Sequence, residues 1–231
     1  KRSHDGTAGA AEVDRSTLAK DGPVTPETFR RMMLAVGEAI HDNRDWLSEL
    51  DGVIGDGDHG VTMDIGWSAV RKELAAPVDE TITQTSTRMA KAFLDAVGAS
   101  SGPLYASAFR KAGEAVSDRL NLDAGAVVAW VEGICAGIQS RGGAQVGDKT
   151  MIDAWVPAVA KAKEALQSGG DVSACLEAAC AGARNGRDYT AEIESRRGRS
   201  AKLGQRSLGH VDPGAASAHV MLVAMNRALS A

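Results

Sequence analysis

The sequence predicts an all-α fold, an eight-helix antiparallel up-and-down barrel or bundle with its functional site on one rim. Three observations carry this. Apolar residues recur at helical spacing through eight stretches, and no stretch alternates β-branched residues with the period of a strand. Most connections are short, which sets consecutive helices side by side and antiparallel. Aromatic residues make up only 4% of the 231 residues, while glycine and alanine are abundant, so the helices must approach one another through small side chains.

Each element has its own signals. Thr25 reads as an N-cap with Pro26 in the first turn, and Phe29, Met32, Met33, Val36, Ile40 and Leu47 follow on one face. This first helix delivers Asp51. A second runs from Val61 to Leu74 and stops before Pro77. The third spans about Asp79 to Val97, the fourth Pro103 to Leu120, the fifth Asp123 to Arg141 and the sixth Thr150 to Ser168. A seventh follows Asp171 to about Tyr189, and the last starts at Pro213 and continues to the end. Residues 1–24 are polar and lack the apolar core of a secretory signal, so they read as a flexible leader or the remnant of an appended segment. Residues 25–231 then form one domain.

The bulk properties narrow the function. A formal charge of -4 argues against a general nucleic-acid binder, and no apolar run is long enough to span a membrane. Cys135, Cys175 and Cys180 show neither metal-ligand spacing nor an even disulfide set, and read as buried thiols of a cytoplasmic protein.

The densest chemistry lies in DGVIGDGDHG, from Asp51 to Gly60. Asp51 falls at a helix end, and the glycine-rich turn can fold Asp56 and Asp58 back towards it. Three converging carboxylates repel one another unless a cation joins them. A calcium loop of the EF-hand type fails, because the sixth and twelfth positions from Asp56 are Val61 and Trp67 rather than Gly and Glu. Magnesium, which keeps waters and substrate phosphates in its shell, fits better, and the glycines permit close backbone approach to those phosphates.

Three further junctions open helices. GASSGPLY places Ser100, Ser101 and Gly102 before Pro103, an arrangement that serves either as an anion seat or as a serine N-cap. GDKTMIDAW offers Lys149 and Thr150 to a ligand and Met151 as a deformable apolar surface. HVDPGAAS sets Asp212 as N-cap and Pro213 in the first turn. Alternate helices of an up-and-down array start at the same end, so all three junctions and the acidic loop share one rim. Residues 190–212 form a long basic connection with Arg196, Arg197, Arg199, Lys202 and Arg206. It reads as a mobile lid over an anionic ligand or as a solvated charged loop. No phosphate-binding GK[ST] loop, dinucleotide fingerprint, serine-hydrolase elbow or zinc spacing is present. His59 adjoins the carboxylates, within reach of a phosphate.

In this order, IGDGDHG with Met63, GASSGPLY, GDKTMIDAW and GRSAKLGQRSLGHVDPGAAS resemble the nucleotide-binding L subunit of dihydroxyacetone kinase, the DhaL or DAK2-domain family, over about residues 25–231. The resemblance implies an eight-helix barrel holding ADP or ATP through two magnesium ions. Asp51, Asp56 and Asp58 would ligate magnesium. His59, Gly60, Val61 and Thr62 would line the phosphates with Ser100 and Ser101. Gly142 and Met151 would border the adenosine, Arg199 would reach in from the long loop, and Asp212, Pro213 and Gly214 would complete the pocket. No catalytic residue is assigned beyond the metal site. Lys202 and Gln205 depart from the aromatic residue and glutamate that are common in the family.

In this family the ketose is held on a separate K subunit or domain, for which this chain shows no counterpart. The resemblance therefore implies half an enzyme, with a ketose-binding K subunit as partner, a phosphotransferase-system phosphodonor protein as a second candidate, and a homodimer left open. The alternative is a nucleotide-bound regulatory subunit that transfers nothing.

Overall fold

A computed structural model describes residues 22–229, with Arg199 described by its backbone alone. Among the described residues the helices are α1 (Pro26–Asp42), α2 (Arg44–Ile54), α3 (His59–Glu73), α4 (Ile82–Ala96), α5 (Ser101–Glu114), α6 (Ala124–Gly142), α7 (Ile152–Gln167), α8 (Val172–Tyr189) and α9 (Pro213–Ala228). The fold is all-α. Its β-pairing within those residues is one isolated bridge between Val24 and Leu122. No described helix is long and apolar enough to cross a membrane. Most of the leader expected over residues 1–24 lies outside the described residues; Val24 itself is buried and exchanges two 2.8 Å backbone hydrogen bonds with Leu122.

The helix expected to run unbroken from Thr25 to Asp51 is two helices. Asn43 sits at φ -99°, ψ 5°, and its side-chain amide donates to the Ala39 carbonyl at 2.8 Å, taking an acceptor at the end of α1. From there α2 sets off on its own course, burying Leu47 and Ile54. Two other boundaries shift for local reasons. α4 starts at Ile82, after Thr81, because Thr81 and Gln84 make a reciprocal capping box. α5 gives way after Glu114 to single turns, with the Val116 N–H on the Gly113 carbonyl and the Arg119 N–H on Val116. Thr25 and Asp212 cap their helices as expected, and Asp123 and Asp171 cap theirs in the same way.

The barrel closes on itself. α1 packs on α3, each later helix packs on the next, and α9 returns to touch both α8 and α1, while α2 lies against α3 and α9. The few aromatic residues are concentrated inside: Phe93 and Phe109 lie edge-on to Trp67, with centroids 6.4 and 5.6 Å away, and Tyr105 tilts against both phenylalanines. Small residues set the spacing elsewhere. A Cβ on Gly182 would stand 2.3 Å from the Pro157 carbonyl oxygen and one on Gly186 1.8 Å from that of Asp153. Pro157 lacks the N–H that would bond Asp153 O within α7, and glycine lets the α8 backbone close over that stretch.

Candidate functional site

The starts of α3, α5, α7 and α9 open onto one cavity of about 620 Å³, the shared rim expected from their order in the chain. α2 brings Asp51, and the turn that follows brings Asp56 and Asp58. Gly57, at φ +79°, supplies the left-handed residue that folds the turn. One carboxylate oxygen of each aspartate lies within 4.8 Å of the others. Asp51 is further held by the start of α3: its Oδ2 accepts the backbone N–H of Asp58 at 2.9 Å and of His59 at 3.1 Å. Burial, and then the Asp51 charge, push the Asp58 carboxyl above its ordinary pKa. A crowded all-oxygen donor set of this kind fits a hard divalent cation.

His59 is half-buried on the other side of the loop. Its Nε2 lies 2.9 Å from Ser217 Oγ on α9, and the Ser217 hydroxyl donates to Gly214 O at 3.0 Å. Since serine has one hydrogen to give, Nε2–H donates to Ser217 and Nδ1 is left as the acceptor. Burial lowers the His59 pKa to about 4, so the ring is neutral near pH 7. At the start of that same helix Asp212 caps α9 by accepting the Ala215 N–H at 2.8 Å. Burial, with the Asp153 charge adding to it, pushes its carboxyl up to about 7, partly offset by the Ala215 hydrogen bond and then by Lys149.

Most of the residues singled out from the sequence meet here: Asp51, Asp56, Asp58, His59, Thr62, Ser100, Ser101, Gly142, Met151, Asp212, Pro213 and Gly214 all line the cavity. Gly60 and Val61 are not in its lining. Gly60 is buried against α2, where a Cβ would stand 1.8 Å from Arg44 O, and Val61 is exposed with its N–H on Ser48 Oγ at 3.3 Å. The Arg199 side chain lies outside what is described. Ser100 makes no side-chain cap to α5, so the serine N-cap explanation of that junction fails. Lys149, expected to face a ligand, does line the cavity, but it is 1% exposed and its ammonium donates to Ile193 O and Ser207 O.

Two contributors were not legible. Arg197 lines the cavity and bridges two of its walls, Nε to Asp148 Oδ2 at 3.0 Å and Nη1 to Gly142 O at 2.9 Å. In the sequence it is one of several neighbouring cations with nothing to rank them. Ser217, which holds His59, is an ordinary helix residue by pattern. The basic connection itself is structured, with 3₁₀ turns at Thr190–Glu192 and Arg199–Ser207. Lys202 and Gln205, the two departures from the family pattern, are exposed and outside the cavity lining.

Comparison with known families gives a DAK2 domain over residues 53–227. The chain belongs to the DAK2 domain family. Among its DAK2 relatives, the ADP-binding subunit DhaL of the PEP-dependent dihydroxyacetone kinase of Escherichia coli (strain K12) is 36% identical over 186 residues, 80% of this chain and 89% of that subunit. L-Erythrulose 1-kinase of Mycolicibacterium smegmatis is 38% identical over 229 residues, 96% of this chain but 37% of that larger protein. The dihydroxyacetone kinase from C. freundii, crystallised with AMP-PNP and Mg2+, superposes with a TM-score of 0.69 at 23% identity, covering 98% of this chain and 38% of that one. That likeness bears on the fold. These sequence relatives are named kinases or kinase subunits, and this DAK2 chain is a kinase subunit of the same phosphotransferase class.

Proposed function

We propose that this chain is the nucleotide-binding subunit of a dihydroxyacetone-type kinase, taking ADP or ATP with magnesium and delivering a phosphoryl group to a short-chain ketose held on a partner K subunit. Residues 25–231 form the nucleotide-binding domain. The observation that carries the reading is the convergence of Asp51, Asp56 and Asp58 with four helix starts on one cavity. Helix starts favour anions, and the carboxylates favour the cation that accompanies nucleotide phosphates.

In this reading Asp51, Asp56 and Asp58 would hold magnesium, two ions in all, with phosphate and water as the remaining oxygen ligands. Bound there, the metal supplies charge neutralisation for the phosphates. The chain's own groups orient the nucleotide. Ser100 and Ser101 offer hydroxyls from the start of α5, Thr62 and His59 stand on the α3 side, and Gly60 and Val61 set the helix start against α2. Met151 and Gly142 border the adenosine, Arg199 approaches from the long connection, and Asp212, Pro213 and Gly214 close the far wall. The relatives' names, which include PEP-dependent and PTS-dependent enzymes, support a phosphodonor protein as a second partner.

Calorimetric titration of ADP with and without magnesium tests the reading, with Asp56→Ala beside it. Binding that requires magnesium and is lost in Asp56→Ala is the expected result; equal affinity in the variant would sink the site assignment.

A further inference from the structure

Residues 190–212 leave the end of α8 and return at the start of α9 as a loop whose legs are tied together. The Gly209 N–H donates to Ala191 O at 2.7 Å and the Asp212 N–H to Thr190 Oγ1 at 2.9 Å. Further along, the Ser195 N–H donates to Ser207 Oγ at 2.8 Å. One side chain from elsewhere enters that neck. The Lys149 ammonium donates to Ile193 O at 3.1 Å on one leg and to Ser207 O at 2.6 Å on the other.

The insertion is specific. Lys149 is 1% exposed, and at φ +61° it is the one non-glycine in the left-handed region among the described residues. Its own turn is wrapped around Asp153, whose carboxylate accepts the Gly147 N–H at 2.6 Å and the Thr150 N–H at 2.8 Å. That turn meets the loop again beside the lysine, where the Arg196 N–H donates to Asp148 O at 3.1 Å and Arg197 Nε to Asp148 Oδ2 at 3.0 Å.

We infer that Lys149 is a positioning residue for the nucleotide site: by threading its ammonium through the neck of the loop it holds residues 197–200 in place as a wall of the cavity. Arg197, Gly198 and Ser200 line the cavity from the loop, and Lys149 itself, Thr150 and Met151 line it from the lysine's own turn. One cation therefore sets two walls at a fixed distance before any ligand arrives. Without it, the ligand must supply the ordering of the loop, and apparent affinity falls accordingly. The word nucleotide here rests on the proposed function; the clasp on the loop does not.

Limited trypsin digestion reads the clasp directly, because the loop carries Arg196, Arg197, Arg199, Lys202 and Arg206. The unmodified chain resists cleavage there. In Lys149→Met, which loses two charge-assisted hydrogen bonds, the loop is cut about tenfold or more faster and magnesium-dependent ADP affinity drops by a similar factor. Lys149→Arg, which keeps a cationic donor, recovers part of both, and saturating Mg-ADP restores protection to Lys149→Met because ligand and loop order are linked. A lysine that served only the stability of the whole fold would open trypsin sites throughout the chain in Lys149→Met rather than those of the loop selectively. Should Lys149→Met fail to fold, the ¹⁵N spectrum of the unmodified chain decides: a slowly exchanging lysine ammonium that disappears in Lys149→Arg supports the clasp, and its absence overturns it. Equal cleavage of Lys149→Met and the unmodified chain would overturn the inference, as would a loosened loop with unchanged ADP affinity. If the unmodified chain bound no ADP, the nucleotide reading would fall, while digestion would still judge the clasp.

Discussion

His59 Nε2 and Ser217 Oγ meet at 2.9 Å across 158 positions of sequence, joining the acidic loop at the start of α3 to the second turn of α9. The contact orients a neutral imidazole beside three carboxylates. Ser217→Ala would leave the half-buried His59 ring without this partner, at an expected cost of about 1 kcal/mol in urea unfolding at pH 7. Mg-ADP affinity, measured beside it, should fall as the ring loses its fixed orientation.

The same histidine makes stability depend on pH. Its folded pKa of about 4 is below the ordinary imidazole value of 6.5, and His219 is lowered to about 4 as well, chiefly by burial and then by Arg187. In the window between these values the unfolded chain binds protons that the fold does not. Their contribution is present above pH 6.5 and is lost as pH falls towards 4. His59→Gln should flatten this limb of a melting-temperature profile recorded without nucleotide.

Asp212 acts in the opposite direction. Its folded pKa of about 7 stands above the ordinary aspartate value of 3.8, so its contribution is full below pH 3.8 and is lost as pH rises through 7. Asp212→Asn keeps a good N-cap and removes the buried charge. It should stabilise the chain at pH 8 by about 2 kcal/mol while changing little at pH 4. Chemical denaturation at the two pH values checks this, and a destabilised variant at pH 8 would show that the carboxylate is better compensated than its burial implies.

Gly60 sets the seat of the acidic loop. A Cβ there would fall 1.8 Å from Arg44 O and 2.7 Å from Ser48 Oγ. Gly60→Ala must push the start of α3 away from α2, and with it the Asp58 and His59 N–H groups that hold Asp51. An overpacking cost of about 1–3 kcal/mol is expected in thermal or urea unfolding, together with weaker magnesium-dependent binding.

Metal dependence should appear in the melting curve too. Magnesium with ADP raises the melting temperature if the carboxylates bind the complex, chelator reverses the rise, and Asp51→Asn abolishes it. Differential scanning fluorimetry reads all three.

Much of the architecture was legible because it is local. Thr25, Asp123, Asp171 and Asp212 each announce a helix start by a side-chain acceptor that reaches three residues ahead. The break at Asn43 was not, because the residues on either side keep helical spacing and one amide bonding to Ala39 O decides between one helix and two. At the site, Asp51, Asp56 and Asp58 are close in sequence, so short-range geometry brings them together. Arg197 and Ser217 act through partners far along the chain, and no spacing rule reports them.

Helical periodicity, capping residues and the order of the elements were enough to specify an all-α array and to set alternate helix starts on one rim, since each depends on interactions within a few residues or on counting. The path of residues 190–212 was beyond that reach. A loop without periodicity takes its course from contacts to distant groups, and here burial of the Lys149 ammonium against Ile193 O and Ser207 O is one of them. A lysine that reads as a ligand contact in the chain is, in the folded molecule, the clasp of a wall.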